Sequence, residues 1–323
     1  MASSSTDTDK EQPTASEPVM SVVLSKHARE LVPSQIASLI EGLKDQYAVF
    51  VYDPTTNSNP SELAEVSQLD SYRSTLVIGG DGTFNWALNT LGPKRPFAVF
   101  PAGTANDLAA HLNLPSDVEG ALRTIRRGNT VAIDLIKVND RCFVTAGGGG
   151  LPAECALWVS SFRDRGSLGV LAVRKLGPLA YELSAVGNIL FKKCIGQELN
   201  ITVERSGHRE IPQNLLHFSP GLLLTNQRTL AGRLRVAPGA LNNDGLYEIF
   251  VLSAASRFKL LRILLGLRAG TFARKGDFQR IQASSAVITC SESSRFFGDG
   301  ELLAEERVFR LRIVEKTLKL ICP

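Results

Sequence analysis

The stretch LVIGGDGTFNWALNTLG, residues 76–92, reads as a buried strand that breaks into a tight glycine turn and continues as a helix. Leu76, Val77 and Ile78 make a short apolar run, and Phe84, Trp86, Leu88 and Leu91 then recur at helical spacing. The free amides of such a turn, together with the helix N-terminus, point at an anion. Gly79, Gly80, Gly82 and Thr83 thus form a phosphate site by geometry. No Lys-Ser/Thr pair follows the last glycine, as a Walker loop requires, and the GxGxxG spacing of a dinucleotide fold is missing. Asp81 is the residue that needs explaining. A carboxylate beside phosphates is unfavourable unless a metal ion or a water bridges them, or unless it handles a proton in the reaction. Its plainer role is a helix N-cap bonded to orphan amides.

Outward from this loop, VMSVVLS (19–25), YAVFVYD (47–53), STLVIGG (74–80) and PFAVFPAG (96–103) are β-rich runs separated by segments of helical spacing such as PSQIASLIEGLKDQ. Strands alternating with helices predict a parallel sheet covered on both faces, over about residues 19–128. FPAGTANDLAAHLNL (100–114) repeats the first loop's grammar, with a Gly103-Thr104 turn and Asn106-Asp107 at the next helix start. Two such loops on neighbouring strands converge on the sheet edge where open α/β folds bind ligands. From TVAIDLIKVNDRCFVTAGGGG onward strand follows strand: ELNITVER, NLLHFSPGLLLTN, GLYEIFVLSA, SSAVITCSES and RVFRLRIVEKTLKLICP. This pattern predicts an antiparallel β-sandwich over residues 129–323, interrupted by the helical regions SLGVLAVRKLGPLAYELSAVGNILFKK and SRFKLLRILLGLRAG. The fold class is α/β followed by β.

A chain of 323 residues has room for two cores, since single cores stop growing at roughly 250 to 300 residues. A formal net charge of +4 falls short of the dense basic stripe of a nucleic-acid binder, so nucleic acid is not an expected partner. Cys142, Cys155, Cys194, Cys290 and Cys322 are widely spaced with no CxxC, which indicates neither a disulfide framework nor a zinc site and fits a reducing compartment. The four histidines, His27, His111, His208 and His217, are scattered. Residues 1–18 are polar and Ser/Thr-rich, without the basic start and apolar core of a signal peptide, and read as a disordered tail. The apolar run near FKLLRILLGLRAG is interrupted by Lys259, Arg262 and Arg268, short of the roughly 18 to 20 apolar residues of a membrane span. The expected location is the cytoplasm, with any membrane contact peripheral and at the inner face.

GGDGTFN paired with PAGTAND resembles the signature of the diacylglycerol kinase catalytic-domain family, which includes sphingosine and ceramide kinases and bacterial soluble lipid kinases. GGDGT alone is shared with NAD kinases and phosphofructokinases; the pair is far more specific. The resemblance runs on through AIDLIKVNDRCFVTAGGGG, VAPGALNNDGLYEIFVLS and FFGDGELL, and so covers about residue 72 to the C-terminus. It implies a nucleotide-binding α/β domain, a β-sandwich, an active site in the cleft between them, and a last segment that returns toward the first domain.

The resemblance also implies an ATP- and Mg2+-dependent kinase acting on a lipid hydroxyl: diacylglycerol, a sphingoid or ceramide-like lipid, or a phosphatidylglycerol-type headgroup. In that reading Gly79, Gly80, Asp81, Gly82, Thr83, Phe84 and Asn85 wrap the nucleotide phosphates, joined by Gly103, Thr104, Asn106 and Asp107. Asp81 matches an aspartate with a catalytic or metal-linked role. Leu241 and Leu246 through their carbonyls, and Asp244 through its carboxylate, match a magnesium loop built of the oxygen donors a hard cation prefers. Asn-Asp-Gly is equally a hairpin-turn signal. Glu301 matches the general base that takes the proton of the lipid hydroxyl as it attacks the γ-phosphate, assistance worth about 10² to 10⁴ in rate. Its bland alternative is a solvated turn glutamate.

Basic and apolar residues interleave over 160–193, where Arg163, Arg165, Arg174, Lys175, Lys192 and Lys193 could meet anionic headgroups while Leu168, Val170 and Leu171 dip into the interface. An ordinary amphipathic helix would read the same way, and a homodimer stays open. Three positions depart from the family pattern. The first strand runs into KHARELVPS without the usual Asn-Pro, glycine-containing loop that touches nucleotide, leaving Lys26 as a substitute contact; Trp86 stands where glutamate is frequent, and Thr145 where asparagine is. The rival readings are an NAD kinase and a catalytically silent lipid-binding homologue.

Overall fold

The computed structural model describes residues 17–56, 59–163, 167–177, 179–191, 196–204, 213–230, 234–253, 256–269 and 276–323. Of the membrane-facing candidates, Arg165, Lys192 and Lys193 lie outside these residues, as do the side chains of Arg163, Leu168, Val170 and Arg174 and most of the 1–18 tail.

The first lobe alternates β1 (Val19–Leu24), α1 (Ala28–Leu31), α2 (Pro33–Lys44), β2 (Ala48–Tyr52), α3 (Pro60–Ser67), β3 (Tyr72–Gly79), α4 (Asp81–Leu91), β4 (Phe97–Pro101), α5 (Asp107–His111) and α6 (Val118–Arg127). Its four strands pair in parallel in the order β4-β3-β1-β2. Successive side chains of a strand point to opposite faces, and here both faces are dry. Val22, Leu24, Leu76, Ile78 and Phe100 pack with Ile36, Leu39 and Ile125 on one side. Val23, Val77 and Phe97 pack with Leu63, Phe84 and Leu88 on the other. The two glycine loops leave the same edge of this sheet: Gly79 is in register with Pro101, and the Ala102 N–H donates to the Gly79 carbonyl at 3.0 Å.

The second lobe holds β5 (Thr130–Val138), β6 (Arg141–Phe143), β7 (Ala146–Gly150), α7 (Leu151–Arg163), α8 (Ser167–Leu176), α9 (Leu179–Phe191), β8 (Gln197–Glu204), β9 (Gln213–Ser219) and β10 (Gly221–Thr225). After these come β11 (Thr229–Leu230), β12 (Leu234–Arg235), β13 (Tyr247–Leu252), α10 (Arg257–Arg268), β14 (Phe278–Ala283), β15 (Ser285–Gly298) and β16 (Glu301–Ile321). The strands that form this lobe's core pair antiparallel around Ile136, Phe143, Ile201, Leu224, Ile249, Ile288 and Phe309. The 21-residue β16 joins the lobes: it begins against β15, continues along β5, and pairs Leu320 in parallel with Phe97 of β4. One 14-stranded sheet therefore runs through the described residues of both lobes. Two helical features differ from the sequence pattern. Helix α7 occupies 151–163, a segment to which the sequence pattern assigned no element, and buries Ala153, Ala156 and Val159 at three-residue spacing. The long helical region after it divides into α8 and α9 at Gly177, which adopts φ 56.

Candidate functional site

Gly80 is the N-cap of α4, and no side chain caps that helix end, so its first-turn amides open on the cleft. The second loop crosses it at backbone contact. A Cβ on Gly80 would stand 2.9 Å from the Gly103 Cα, so the crossing tolerates glycine on both sides. Asn106, itself in the left-handed region at φ 51, shapes its own loop: its Oδ1 accepts from the Gly103 N–H at 2.9 Å and its Nδ2 donates to the Gly103 carbonyl at 3.0 Å.

The charge on Asp81 goes to the neighbouring helix. Its Oδ2 accepts from the Asp107 N–H at 3.0 Å and its Oδ1 from the Leu108 N–H at 3.1 Å, which are the first amides of α5. Asp81 is thus an N-cap supplied in trans by the other loop, and it locks the two loops together. Burial pushes its pKa up to about 6, opposed by the two amides and reinforced by the nearby Asp299 carboxylate. The sign of the resulting pH dependence follows. A carboxyl whose folded pKa lies above the unfolded value takes its proton first in the folded state, so it adds stability as pH falls from about 6 toward the ordinary aspartate value. Asp81→Asn is expected to remove that segment from a plot of unfolding midpoint against pH; an unchanged plot would mean Asp81 does not titrate there.

Phe84 and Asn85, expected among the nucleotide contacts, do not line the cleft. Positions four and five of α4 turn their side chains back toward the sheet. Phe84 is buried edge-on against Phe97 at 5.4 Å, and the Asn85 Nδ2 donates to the Cys142 carbonyl and to Asp299 Oδ2, both at 2.9 Å. Trp86 is likewise structural: it stacks on Tyr52 with centroids 5.0 Å apart and 17° between planes.

From the far end of the chain, β15 and β16 deliver Asp299 and Glu301 to these loops. Glu301 lies over the first turn of α4, where a Cβ on Gly82 would overlap its carboxylate. Asp299, at φ 51 in the turn between the strands, is buried and accepts from the Val144 N–H (3.0 Å to Oδ2), the Thr145 N–H (2.8 Å), the Thr145 hydroxyl (2.7 Å) and Asn85. Burial raises its pKa against the pull of the Thr145 and Asn85 bonds. Thr145, at the position where asparagine is frequent, is one of these donors. Sequence reasoning noticed Asp299 only as part of its motif; the left-handed Asp-Gly pair was the available signal.

The 241–246 turn lies apart from the cleft-lining residues. Asp244 Oδ1 accepts from the Leu246 N–H at 3.1 Å, an Asx turn. The Leu241 and Leu246 carbonyls converge on the side-chain amide of Asn226, which donates at 3.3 and 3.0 Å with its nitrogen turned toward them. Buried Asp134 fixes the turn from below, accepting from the Gly245 N–H at 2.8 Å and the Lys316 N–H at 2.7 Å. Among the described residues no group of three or more His, Cys, Asp or Glu side chains is arranged to hold a metal ion. Neither Asn226 nor Asp134 was singled out from sequence; a charged residue inside the apolar run of β5 was the overlooked clue.

Gly80, Gly82, Thr83, Gly103, Thr104 and Glu301 form one end of a cavity of about 340 Å3. Ser25, Lys26 and His27, at the end of β1, also line this end, where the family's Asn-Pro loop would lie. The cavity continues between the sandwich and helices α7, α9 and α10, past Ala156, Ile189, Leu223, Phe250, Ile263, Leu264, Leu267 and Phe278. Among the described residues lining it, Lys26 is the one lysine or arginine, against four carboxylates: Asp81, Asp107, Asp299 and Glu301. No described helix is long and apolar enough to cross a membrane.

Comparison with known proteins agrees with this architecture. Residues 23–138 match the model of the diacylglycerol kinase catalytic domain, and residues 172–322 that of the YegS C-terminal NAD kinase beta sandwich-like domain. A diacylglycerol kinase of Staphylococcus carnosus is 29% identical over 236 residues, 72% of this chain and 71% of the relative. One from Staphylococcus aureus is 28% identical over 243 residues, 74% and 70% of the two chains. Among solved structures, a diacylglycerol kinase from Bacillus anthracis superposes with a TM-score of 0.65 at 16% identity, covering 94% of this chain and 97% of that one. An NAD kinase from Archaeoglobus fulgidus, solved with ATP, gives 0.52 at 10% identity over 94% and 93%. The latter two establish the shared fold.

Proposed function

We propose, from the match of residues 23–138 to the diacylglycerol kinase catalytic domain and the similarity to staphylococcal diacylglycerol kinases, that this chain is a member of that family and transfers the γ-phosphate of ATP to a lipid hydroxyl. The observation that carries this reading is the continuity of one cavity from the two glycine loops and Glu301 into an apolar channel. Ligand sites are mostly apolar with a few placed polar groups. This one is divided along its length, polar where a triphosphate would lie and apolar where alkyl chains would. NAD offers nothing that needs the apolar part.

In this mechanism the amides of Gly80–Thr83 and of Thr104 hold the phosphates, and the Thr83 and Thr104 hydroxyls add donors. Lys26 supplies positive charge at a site otherwise lined by carboxylates. The acceptor lies in the channel with its hydroxyl at Glu301. The carboxylate takes the hydroxyl proton as the lipid oxygen bonds to the γ-phosphorus, and ADP leaves with the electrons of the broken P–O bond. Asp81 holds the two phosphate loops in register rather than meeting the proton itself.

The Leu241 and Leu246 carbonyls and the Asp244 carboxylate would hold a magnesium ion with the Asn226 amide turned the other way, so that its oxygen rather than its NH2 faces the two carbonyls and the set is all oxygens. Bound there, it would supply positive charge beside the turn. A hydrogen-bonded path leads from it toward the site, because the Asn226 N–H donates to the Thr145 carbonyl at 3.1 Å and Thr145 in turn holds Asp299.

The reading is tested by incubating the purified protein with γ-labelled ATP, magnesium and a total lipid extract, beside a tube containing NAD. Label in an organic-phase lipid is the expected result, and its mobility identifies the acceptor class. Label confined to NADP would replace the reading with NAD kinase. Absence of transfer in both tubes would favour the silent homologue, and direct ATP titration would decide it.

A further inference from the structure

Among the described residues, the channel wall contributed by helices α7, α9 and α10 is apolar except at two side chains, the Cys155 thiol and the Tyr181 hydroxyl. A thiol is a weak donor, so Tyr181 carries the strong hydrogen-bonding group of that wall. Helix periodicity sets its place. Tyr181, Ala185 and Ile189 recur at the spacing of one helix face on α9, and all three line the channel. Tyr181 meets the polar end: a Cβ added to Gly300 would stand 3.8 Å from its hydroxyl, and Gly300 lies between Asp299 and Glu301. The half-buried ring packs against the cluster of Leu234, Val236 and Phe250 and against that of Val159, Val173 and Ala180. Two clusters thus fix the ring, and its hydroxyl stays where the polar and apolar parts of the cavity join.

The neighbouring groups have other work. Asp299 accepts from the Val144 and Thr145 amides, from the Thr145 hydroxyl and from Asn85. Glu301, as the proposed base, takes the proton of the reacting hydroxyl, whose oxygen must keep a lone pair for phosphorus. A phenol O–H donates, and a lipid in an apolar channel offers it oxygen acceptors. The reacting oxygen is the wrong one, because a proton donated to it holds the lone pair that attacks. A second oxygen beside the first is the partner that remains. We infer that Tyr181 is an acceptor-specificity residue: its hydroxyl donates to an oxygen on the carbon next to the one bearing the reacting hydroxyl, so that a lipid with two neighbouring oxygens is oriented with one at Tyr181 and the other at Glu301. The inference deepens the lipid-kinase reading and rests on it. A long-chain alcohol without the second oxygen fills the channel but gives the phenol no such bond.

The test is equilibrium dialysis of the full chain, without nucleotide, against labelled 1,2-dihexanoylglycerol, which has an ester oxygen beside its hydroxyl, and against labelled 1-dodecanol, which has the hydroxyl alone. Tyr181→Phe keeps the ring in both clusters, so its unfolding midpoint should match wild type. The variant is expected to bind dihexanoylglycerol about three- to tenfold more weakly, the worth of one neutral hydrogen bond, and dodecanol within about twofold of wild type. In the transfer assay the KM for dihexanoylglycerol should rise by the same factor while the KM for ATP stays unchanged. Dihexanoylglycerol binding by the variant within about twofold of wild type, or equal losses for the two ligands, would overturn the inference. So would a wild type that binds neither. Selective loss of dihexanoylglycerol in a protein that transfers no phosphate would sustain the role of Tyr181 in recognising the lipid while refuting the kinase reading; transfer with an unchanged KM for dihexanoylglycerol in the variant would do the reverse.

Discussion

With Glu301 as the proposed base, Glu301→Gln is expected to lower kcat for the proposed lipid phosphorylation by about 10²- to 10⁴-fold while leaving the unfolding midpoint and the KM for ATP near their wild-type values. The split follows from where Glu301 sits. It is the first residue of β16, set by the Asp299-Gly300 turn, with its carboxylate against the first turn of α4. Glutamine fills the same space and keeps an oxygen and a nitrogen there, so the phosphate loop it rests on is undisturbed. What glutamine lacks is a lone pair basic enough to accept the hydroxyl proton. Ground-state binding survives and only the transition state loses, which is a fall in kcat without a matching rise in KM. The measurement is a steady-state titration of ATP and acceptor on wild type and variant, with thermal unfolding in parallel. Turnover within threefold of wild type would remove Glu301 from the role of base and leave it a wall of the site.

The residues that were legible in the sequence are those whose structure is local. Glycine turns, the strand before each and the apolar spacing after each depend on neighbours a few positions away, and so the two loops and their shared sheet edge could be read from 76–92 and 100–114. Asp81 is local in position but not in partnership. Its amides belong to Asp107 and Leu108, 26 and 27 residues on, and no property of GGDGT reveals that they will be within reach. Phe84 and Asn85 were carried into the phosphate site by the motif, whereas the turn of α4 sends one into the core and the other to Asp299, 214 residues away. Trp86, which departs from the family pattern, is a packed ring on Tyr52. Helix α7 was hidden because it follows directly on the glycine-run strand β7, while its buried face is made of small residues, Ala153 and Ala156, that give little periodic signal. The apolar channel was illegible altogether: its lining comes from three helices and from the strands β10, β11, β12, β13, β14 and β15 of the second lobe, each contributing one or a few side chains.

The second large effect is on the fold itself: Asp299→Ala destabilises the protein by about 3–5 kcal/mol, and Asp299→Asn by less. The Asp299 carboxylate is the acceptor for two consecutive buried amides, Val144 and Thr145, and for the Thr145 hydroxyl and Asn85. The hydroxyl can rotate, and Asn85 keeps its bond to the Cys142 carbonyl, but the two amides are fixed by the backbone between β6 and β7. Removing the acceptor leaves both N–H groups in a site closed to water, each costing about 1–3 kcal/mol. Alanine carries a further cost at φ 51, where asparagine and aspartate are tolerated and a plain Cβ is strained. Asparagine keeps that backbone and one acceptor oxygen but turns its NH₂ toward a donor, so it isolates the loss of half the carboxylate. The order wild type, Asp299→Asn, Asp299→Ala is therefore expected in denaturant unfolding at pH 7, and equal midpoints for alanine and wild type would show that the buried charge costs as much as its hydrogen bonds return. A functional effect should ride on the structural one. Glu301 lies two residues beyond Asp299 in the same turn, so a turn no longer anchored to Thr145 and Asn85 releases the proposed base from its place over α4. Activity per folded molecule should fall in the alanine variant by more than its folded fraction accounts for.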